Sequence, residues 1–488
     1  MKRFALVACI LVCPALILGG CATNPVSKHS EFVLMSEKDE LALGAAAAAQ
    51  VARNMPLLPD DDPLVRYVDR VGQRVAKVSD RPELFYRFHV VDDAEINAFA
   101  LPGGYIYVDR GLLTHMNSEA ELAAVLGHEI GHVTARHAVQ QYTKAQAYNL
   151  GMAVASIFVP VPYGADQLGN LLATAIITGY GREDELQADQ LSIKYITAAG
   201  YDPNATAGIL RTLKRLEDIQ AKEQKDTTGK APEEYHGAFS THPETEKRIL
   251  EAVAAAKQEP HGPEETDRLA MLKAVDGYPY GDSPDQGAVV GQHFLHPKLG
   301  IQIRFSDDWV IQNSPQALTA QKRQQKVYFQ LSSKELQKHQ TAADILRDIF
   351  PARHMGTVDS GVQDRFAYAH TFVTMSAPHV SNAMIDATVF LDGPRAYLML
   401  MWCDEKDFAA NQKDFSDVAY SFRSYDAKRD GGVPRIHLYT WAKGDTWQGL
   451  AARSHLILGR FTADKLAALN GMGLNELPAV GEVIKTVR

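Results

Sequence analysis

Apolar residues recur at helical spacing over most of the first half of the chain, and alternate with polar ones over much of the second. The alanine-rich stretch from Ser36 to Arg53 opens on a serine suited to capping a helix, and Leu64 to Val78 carries a second helical pattern. Phe85 to Val91 alternates and then turns apolar, which predicts a strand. Tyr105 to Val108 predicts another, behind the turn Leu101-Pro102-Gly103-Gly104. Ser118 to Asn149 predicts one long helix. Residues 150–179 hold two apolar pieces broken at Pro160, Pro162, Gly164 and Gly169. Each piece is shorter than the roughly 20 residues a spanning helix needs. Asp166 and Asn170 lie between them, so buried or membrane-facing helices are expected rather than a spanning pair. Helices follow at Glu185 to Ala199, stopped by Gly200, at Thr206 to Lys225 and at Pro243 to Lys257, with a polar loop at 226–238.

The character changes at 258–290, where Glu, His, Pro, Gly and Asp predominate around one helical patch, Glu264 to Val275; this reads as a linker. Residues 291–435 favour alternating strands, among them Leu299 to Phe305, Lys326 to Leu331 and Ala396 to Trp402. They predict a separate α+β domain without a recognisable catalytic cluster. Residues 438–488 predict strand, helix, helix and strand around Gly444-Asp445-Thr446, Leu469-Asn470-Gly471 and Gly481-Glu482-Val483-Ile484-Lys485. This unit resembles a degenerate LysM module, which implies peptidoglycan as a partner. Its spacing is irregular around Ser454 to Arg460, and small units of this kind also serve simply to pack on a neighbour.

The start of the chain adds a location. Met1-Lys2-Arg3, the apolar run Phe4 to Leu18 and Leu18-Gly19-Gly20-Cys21 look like a lipoprotein signal over residues 1–20, with the Cys21 thiol as lipid acceptor. Residues 21–35 then form a polar tether. Several acyl chains anchor stably where one is marginal. Ala22 after the cysteine resembles the outer-membrane class of Gram-negative lipoproteins, which implies the periplasmic side of that membrane. Cys9 and Cys13 leave with such a leader, and Cys403 is then alone, so neither a disulfide framework nor a thiolate metal site is expected. Between Trp402 and Asp404 it reads as a buried small hydrophobe. A net charge of −9 offers no basic surplus for nucleic acid.

The chemistry concentrates at His128-Glu129-Ile130-Gly131-His132. Residues four apart on a helix lie one above the other, so both imidazoles can face one ion. Glu129, about 100° round the helix from His128, can act as base toward a water there without ligating the metal. A catalytic zinc takes three protein ligands and keeps one position open. His137 lies roughly 140° round from His132 on a continued helix, and Ala135 and Ala138 exclude a metzincin spacing, so His137 reads as structural. Glu183, Asp184 and Glu185 compete for the third ligand position. Asp189, one turn past Glu185, is placed to accept the second N–H of a ligand histidine, and small Ala188 lets two helices approach.

The histidine motif, Glu185-x-x-Ala188-Asp189 and residues 97–113 together are similar to the M48 (Ste24/HtpX-like) peptidase family, over about residues 40–255. The resemblance implies one Zn2+ per chain held by His128, His132 and Glu185, with Glu129 as base. It places Asn97, Ala98, Phe99 and Ala100 at the cleft edge. Ser240-Thr241-His242-Pro243 resembles an element whose histidine occupies the fourth zinc position, implying a latch at His242. The expected fold is α+β: a mainly helical gluzincin-type domain with a short sheet over 36–257, then the α+β domain and the LysM-like unit. The expected activity is endoproteolysis of unfolded or misassembled cell-envelope proteins. The alternative is an outer-membrane protein assembly or holding factor with latched or silent proteolysis. No tetratricopeptide repeats are recognisable beyond residue 258.

Overall fold

The computed structural model describes residues 21–23, 26, 30–32, 35–143, 180–228, 245–259, 266–314, 317–336, 340–458 and 461–488. The broken apolar pair at 150–179 lies outside them. Helices and sheets are mixed, as an α+β chain requires, and among the described residues no helix is long and apolar enough to cross a membrane.

Within the stretch read as a tether, β1 (Cys21–Thr23) pairs antiparallel with β2 (Ser30–Phe32). Helix α1 (Glu37–Asn54) starts at Ser36, whose side chain accepts from the Asp39 N–H at 3.2 Å. Helix α2 (Pro63–Ala76) opens on Asp62, which accepts from the Leu64 N–H, with proline at the position where a missing N–H is harmless. Leu64, Val68, Val71 and Val75 form its buried stripe. Three strands follow: β3 (Arg87–Val91), β4 (Ala98–Leu101) and β5 (Tyr105–Asp109). Their order is β3-β5-β4, with β3 parallel to β5 and β4 antiparallel at the edge. Gly103 and Gly104, at φ 80° and 92°, make the β4–β5 turn in a region that side chains resist.

Helix α3 (Arg110–His115) leads into α4 (Glu119–Thr134), capped by Ser118 with Glu119 and Glu121 in its first turn. The long helix expected to Asn149 is broken. Arg136 takes φ 61°, and helical backbone resumes at 137–143. Val139 is still buried beyond the break, so the apolar periodicity runs across it and conceals it. Helices α5 (Arg182–Ala198), α6 (Ala205–Thr228) and α7 (Thr245–Ala256) follow. Helices α4 and α5 lie close because Gly131 faces Ala188: a Cβ there would sit 3.2 Å from the Ala188 carbonyl oxygen.

Residues 266–287 lie on this domain rather than apart from it. Helix α8 (Arg268–Val275) buries Met271, Leu272 and Val275, and buried Arg110 donates to the carbonyls of Pro279 at 2.7 Å and Gly281 at 2.8 Å.

The next domain holds two sheets. One orders β16 (Arg423–Ser424), β8 (Ile301–Arg304), β7 (His293–His296) and β6 (Ala288–Val290). The other runs β12 (Asp359–Gln363), β13 (Phe366–Ala377), β14 (Val380–Asp392), β15 (Arg395–Asp404), β11 (Tyr328–Glu335), β10 (Leu318–Lys322) and β9 (Trp309–Asn313). Strand β15 shows why both faces are covered. Tyr397, Met399, Met401 and Cys403 join one core with α10 (Glu405–Ser421), while Ala396 and Trp402 join another under α9 (Ala342–Ile349). Cys403 is buried and free, and burial first, then Asp407 and Asp404, pushes its thiol up to about 11.

The C-terminal unit is β17 (Ile436–Thr440), α11 (Trp447–Leu458), α12 (Ala463–Leu469) and β18 (Val483–Val487), the two strands antiparallel. Trp441, Trp447, Leu466 and Ile484 belong to the same apolar core as α2, α4 and α5. Buried Lys485 donates to the carbonyls of Thr114 and Met116, both at 2.7 Å.

Candidate metal centre

Helices α4 and α5 bring His128, His132 and Glu185 together. One donor atom from each lies within 4.8 Å of the others, and all three residues are buried. Among the described residues no other cluster of His, Cys, Asp or Glu does this. His132 Nε2 lies 3.0 Å from His128 Nε2 and 3.4 Å from Glu185 Oε1, and His128 Nε2 lies 3.4 Å from Glu185 Oε2. Two imidazole nitrogens and a carboxylate oxygen converging on one point suit a zinc ion, whose catalytic sites use this donor set. Glu129 is buried beside them at 1% exposure, and its charge acts on both Tyr180 and Arg248. Glu183 and Asp184, the rival third ligands, are not in the cluster; Asp184 Oδ1 instead stands 3.7 Å from His137 Nε2.

Each imidazole is held from behind. Asp189 Oδ1 lies 2.9 Å from His128 Nδ1. His137 Nδ1 lies 2.8 Å from His132 Nδ1, and His137 Nε2 lies 2.8 Å from Gln187 Oε1. The Tyr180 ring stacks on His132 with centroids 3.9 Å apart and an 18° tilt. Arg248 of α7, 5% exposed, donates from Nε and Nη2 to Asp189 at 2.7 and 2.8 Å, and its Nη1 is 3.0 Å from Glu185 Oε2.

These contacts shift the proton affinities of the site's own groups. Burial opposes a charge on His128, but the hydrogen bonds to Asp189 and Glu185 outweigh it and raise its pKa to about 9. Burial takes His132 well below its ordinary value, against the pull of Glu185. Burial likewise lowers His137. Burial would raise Asp189, yet the Arg248 guanidinium holds it below the usual carboxylate range. Burial raises the Tyr180 phenol, helped by Glu129, Glu185 and Asp184.

Of the expected cleft-edge residues, Ala98 and Ala100 are buried in edge strand β4 and Phe99 stacks on Tyr107 at 4.8 Å. Asn97 precedes the strand, its carbonyl accepting from the Asp109 N–H. Ala100, Leu101 and Pro102 line a small cavity with His132 and Tyr180. His242 lies outside the described residues, as does the side chain of Cys21. Sequence reasoning missed Tyr180 and Arg248. Arg248 carried a signal: it stands four and eight residues before Ala252 and Ala256, which are buried, so it occupies a core stripe of α7.

Residues 64–256 match the model of peptidase family M48, so the chain carries an M48 peptidase domain. It is similar to the mitochondrial metalloendopeptidase OMA1 of Schizosaccharomyces pombe, 36% identical over 231 residues, covering 46% of this chain and 63% of that one. It is also similar to the beta-barrel assembly-enhancing proteases of Yersinia pestis and of Escherichia coli K12. The first is 29% identical over 236 residues, covering 46% of each chain. The second is 26% identical over 246 residues, covering 48% of this chain and 47% of that one. The matched stretch thus spans about half the length of these bacterial relatives.

Proposed function

We propose that the M48 domain of this chain is a zinc-dependent endopeptidase acting on unfolded or misassembled proteins of the cell envelope. The observation that carries this reading is the buried convergence of His128, His132 and Glu185 with Glu129 one residue along the same helix. A bound zinc ion supplies Lewis acidity, polarising a peptide carbonyl and making nearby water easier to deprotonate. Glu129 takes the proton of the attacking water and delivers it to the leaving amine. Asp189 and Arg248 keep His128 and Glu185 aimed. Strand β4 contributes Ala100 and Leu101 to the cavity at His132.

The envelope location rests on the leader-like residues 1–20 and Cys21 as the lipidated residue, and on the names of the bacterial relatives, which associate those proteins with beta-barrel assembly. His242 as a latch on the zinc, and peptidoglycan as a ligand of residues 438–488, belong to the same reading on sequence resemblance. A second reading is an outer-membrane protein assembly or holding factor with latched or silent proteolysis; the words beta-barrel assembly in those relatives' names support its first half, and the word protease in the same names supports the first reading. The deciding experiment compares cleavage of an unfolded polypeptide by the zinc-loaded protein and its Glu129→Gln variant. The expected result is equal zinc in both and a loss of about 10²–10⁴-fold in the variant. Cleavage by neither, at one zinc per chain, favours the holding factor; cleavage by both at equal rates refutes the role of Glu129.

A further inference from the structure

We infer that His137 is a positioning residue that fixes the tautomer and ring plane of His132. The inference rests on the zinc reading above and goes beyond it, because the sequence pattern gives His137 no place near the metal.

The local fold is built to bring it there. On an uninterrupted helix His137 would point about 140° away from His132. Instead α4 stops at Thr134, Arg136 adopts φ 61°, and the chain turns His137 back until the two Nδ1 atoms are 2.8 Å apart. A side-chain-bearing residue in that conformation has to be held, and Arg136 is. Its Nε donates to Glu40 Oε2 at 2.8 Å, and the other oxygen of Glu40 accepts from Arg81 at 2.8 Å. Glu40 is 1% exposed, and Arg81 also reaches the Val133 carbonyl at 3.4 Å, in the last turn of α4. Helix α1, which carries Glu40, is seated in turn by Gly44, where a Cβ would collide with the Pro102 carbonyl at 1.8 Å.

The proton order along this chain follows from the ligand geometry. His132 presents Nε2 to Glu185 and His128, so a metal takes that lone pair and Nδ1 carries the hydrogen. That N–H donates to His137 Nδ1. His137, neutral, then carries its own hydrogen on Nε2 and donates it to Gln187 Oε1 at 2.8 Å on α5. His128 has an anionic partner in Asp189, whereas His132 has a neutral one that is itself anchored to the Glu185 helix. A partner that fixes ring orientation and tautomer typically changes metal affinity 10- to 100-fold when removed.

The test uses the purified full chain with His137→Asn and His137→Gln. Asparagine keeps an acceptor at the position of Nδ1; glutamine moves its amide to the position of Nε2 and leaves His132 without one. Zinc affinity is read by competition with a chromophoric chelator, and fold by the metal-free melting transition. The expected result is Gln weakened about 10- to 100-fold and Asn near wild type, with similar metal-free melting. Two variants that bind zinc alike, or an Asn variant that loses the fold, overturn the assignment. A measurement without variants runs beside it. The 15N spectrum of histidine-labelled, zinc-loaded wild type should show His137 neutral and protonated at Nε2; protonation at Nδ1 overturns it. Wild type that binds no zinc overturns the metal reading and this inference together, whereas normal zinc with the wrong tautomer overturns this inference alone.

Discussion

Replacing Arg248 by methionine removes one buried charge while keeping most of the side chain's volume. Its contacts to Asp189 and Glu185 are 2.7, 2.8 and 3.0 Å and the residue is 5% exposed, so nothing in solvent can substitute for it. Taking one partner from a buried ionic group costs about 3–5 kcal/mol, because the remaining charge stays buried without compensation. His128 offsets part of this. Its pKa of about 9 keeps it protonated at pH 7 in the metal-free protein, 2.9 Å from Asp189. The expected loss therefore sits near the lower bound, about 3 kcal/mol, or roughly 6–12 °C for a domain of this size.

The assay is calorimetric melting at pH 7 of wild type and Arg248→Met, each with and without zinc. The described residues form several separate apolar cores, so the transition compared is the one that zinc shifts upward. Added zinc should narrow the gap, since a cation beside Glu185 replaces charge that the variant lacks. A metal-free variant melting within about 2 °C of wild type refutes the argument, at the scale of under about 1 kcal/mol. A gap of full size that zinc leaves unchanged would mean that Arg248 acts through its packed stem rather than its charge.

Two further outcomes test the surroundings. Asp109 is 2% exposed, its Oδ1 has no hydrogen-bond partner among the described residues, and burial, with Asp93 and Glu95, raises its pKa well above the ordinary value. A carboxyl raised in the fold costs stability as pH climbs past its unfolded value near 4, by about 1.4 kcal/mol per unit of displacement. Asp109→Asn should therefore melt higher than wild type at pH 8, with the difference closing toward pH 4; equal melting at both pH values refutes it. Lys485→Met strips a donor from the carbonyls of Thr114 and Met116 and should lower the zinc-sensitive transition by about 1–3 kcal/mol. Movement of a separate C-terminal transition alone would contradict the shared core.

The legible parts of this chain were those in which one local signal fixes one local structure. Ser36 and Ser118 announced helix starts, and the alternation around Ala396 to Trp402 announced β15. Glycines after Pro102 announced the β4–β5 turn. The four-residue spacing of His128 and His132 put both imidazoles on one side of α4, and the structure adds Glu185 from α5. What stayed hidden depended on partners distant in sequence. The break at Arg136 needs Glu40, 96 residues earlier, to hold a conformation that the residue itself disfavours. Arg248 reads as an anomaly on an apolar stripe until the carboxylates of α5 are placed against it. Residues 266–287 are rich in Gly, Pro and Asp as a linker would be, yet Arg110 binds two of their carbonyls and fixes them on the first domain.

The centre is thus a junction of four chain segments rather than a motif on two helices. Helix α1 reaches His132 through Glu40, Arg136 and His137; α7 reaches Glu185 and Asp189 through Arg248; α4 and α5 supply the donors. The two outer routes differ in kind. The α7 route is ionic, so a displacement of α7 changes the charge balance at Glu185 directly. The α1 route ends in neutral hydrogen bonds, so a displacement there changes the aim of His132 and leaves the charge alone. Helix α7 begins three residues after His242 and α1 begins sixteen residues after Cys21. Displacements of α7 and of α1 would therefore reach the proposed metal site by different physics, the charge balance at Glu185 in one case and the orientation of His132 in the other.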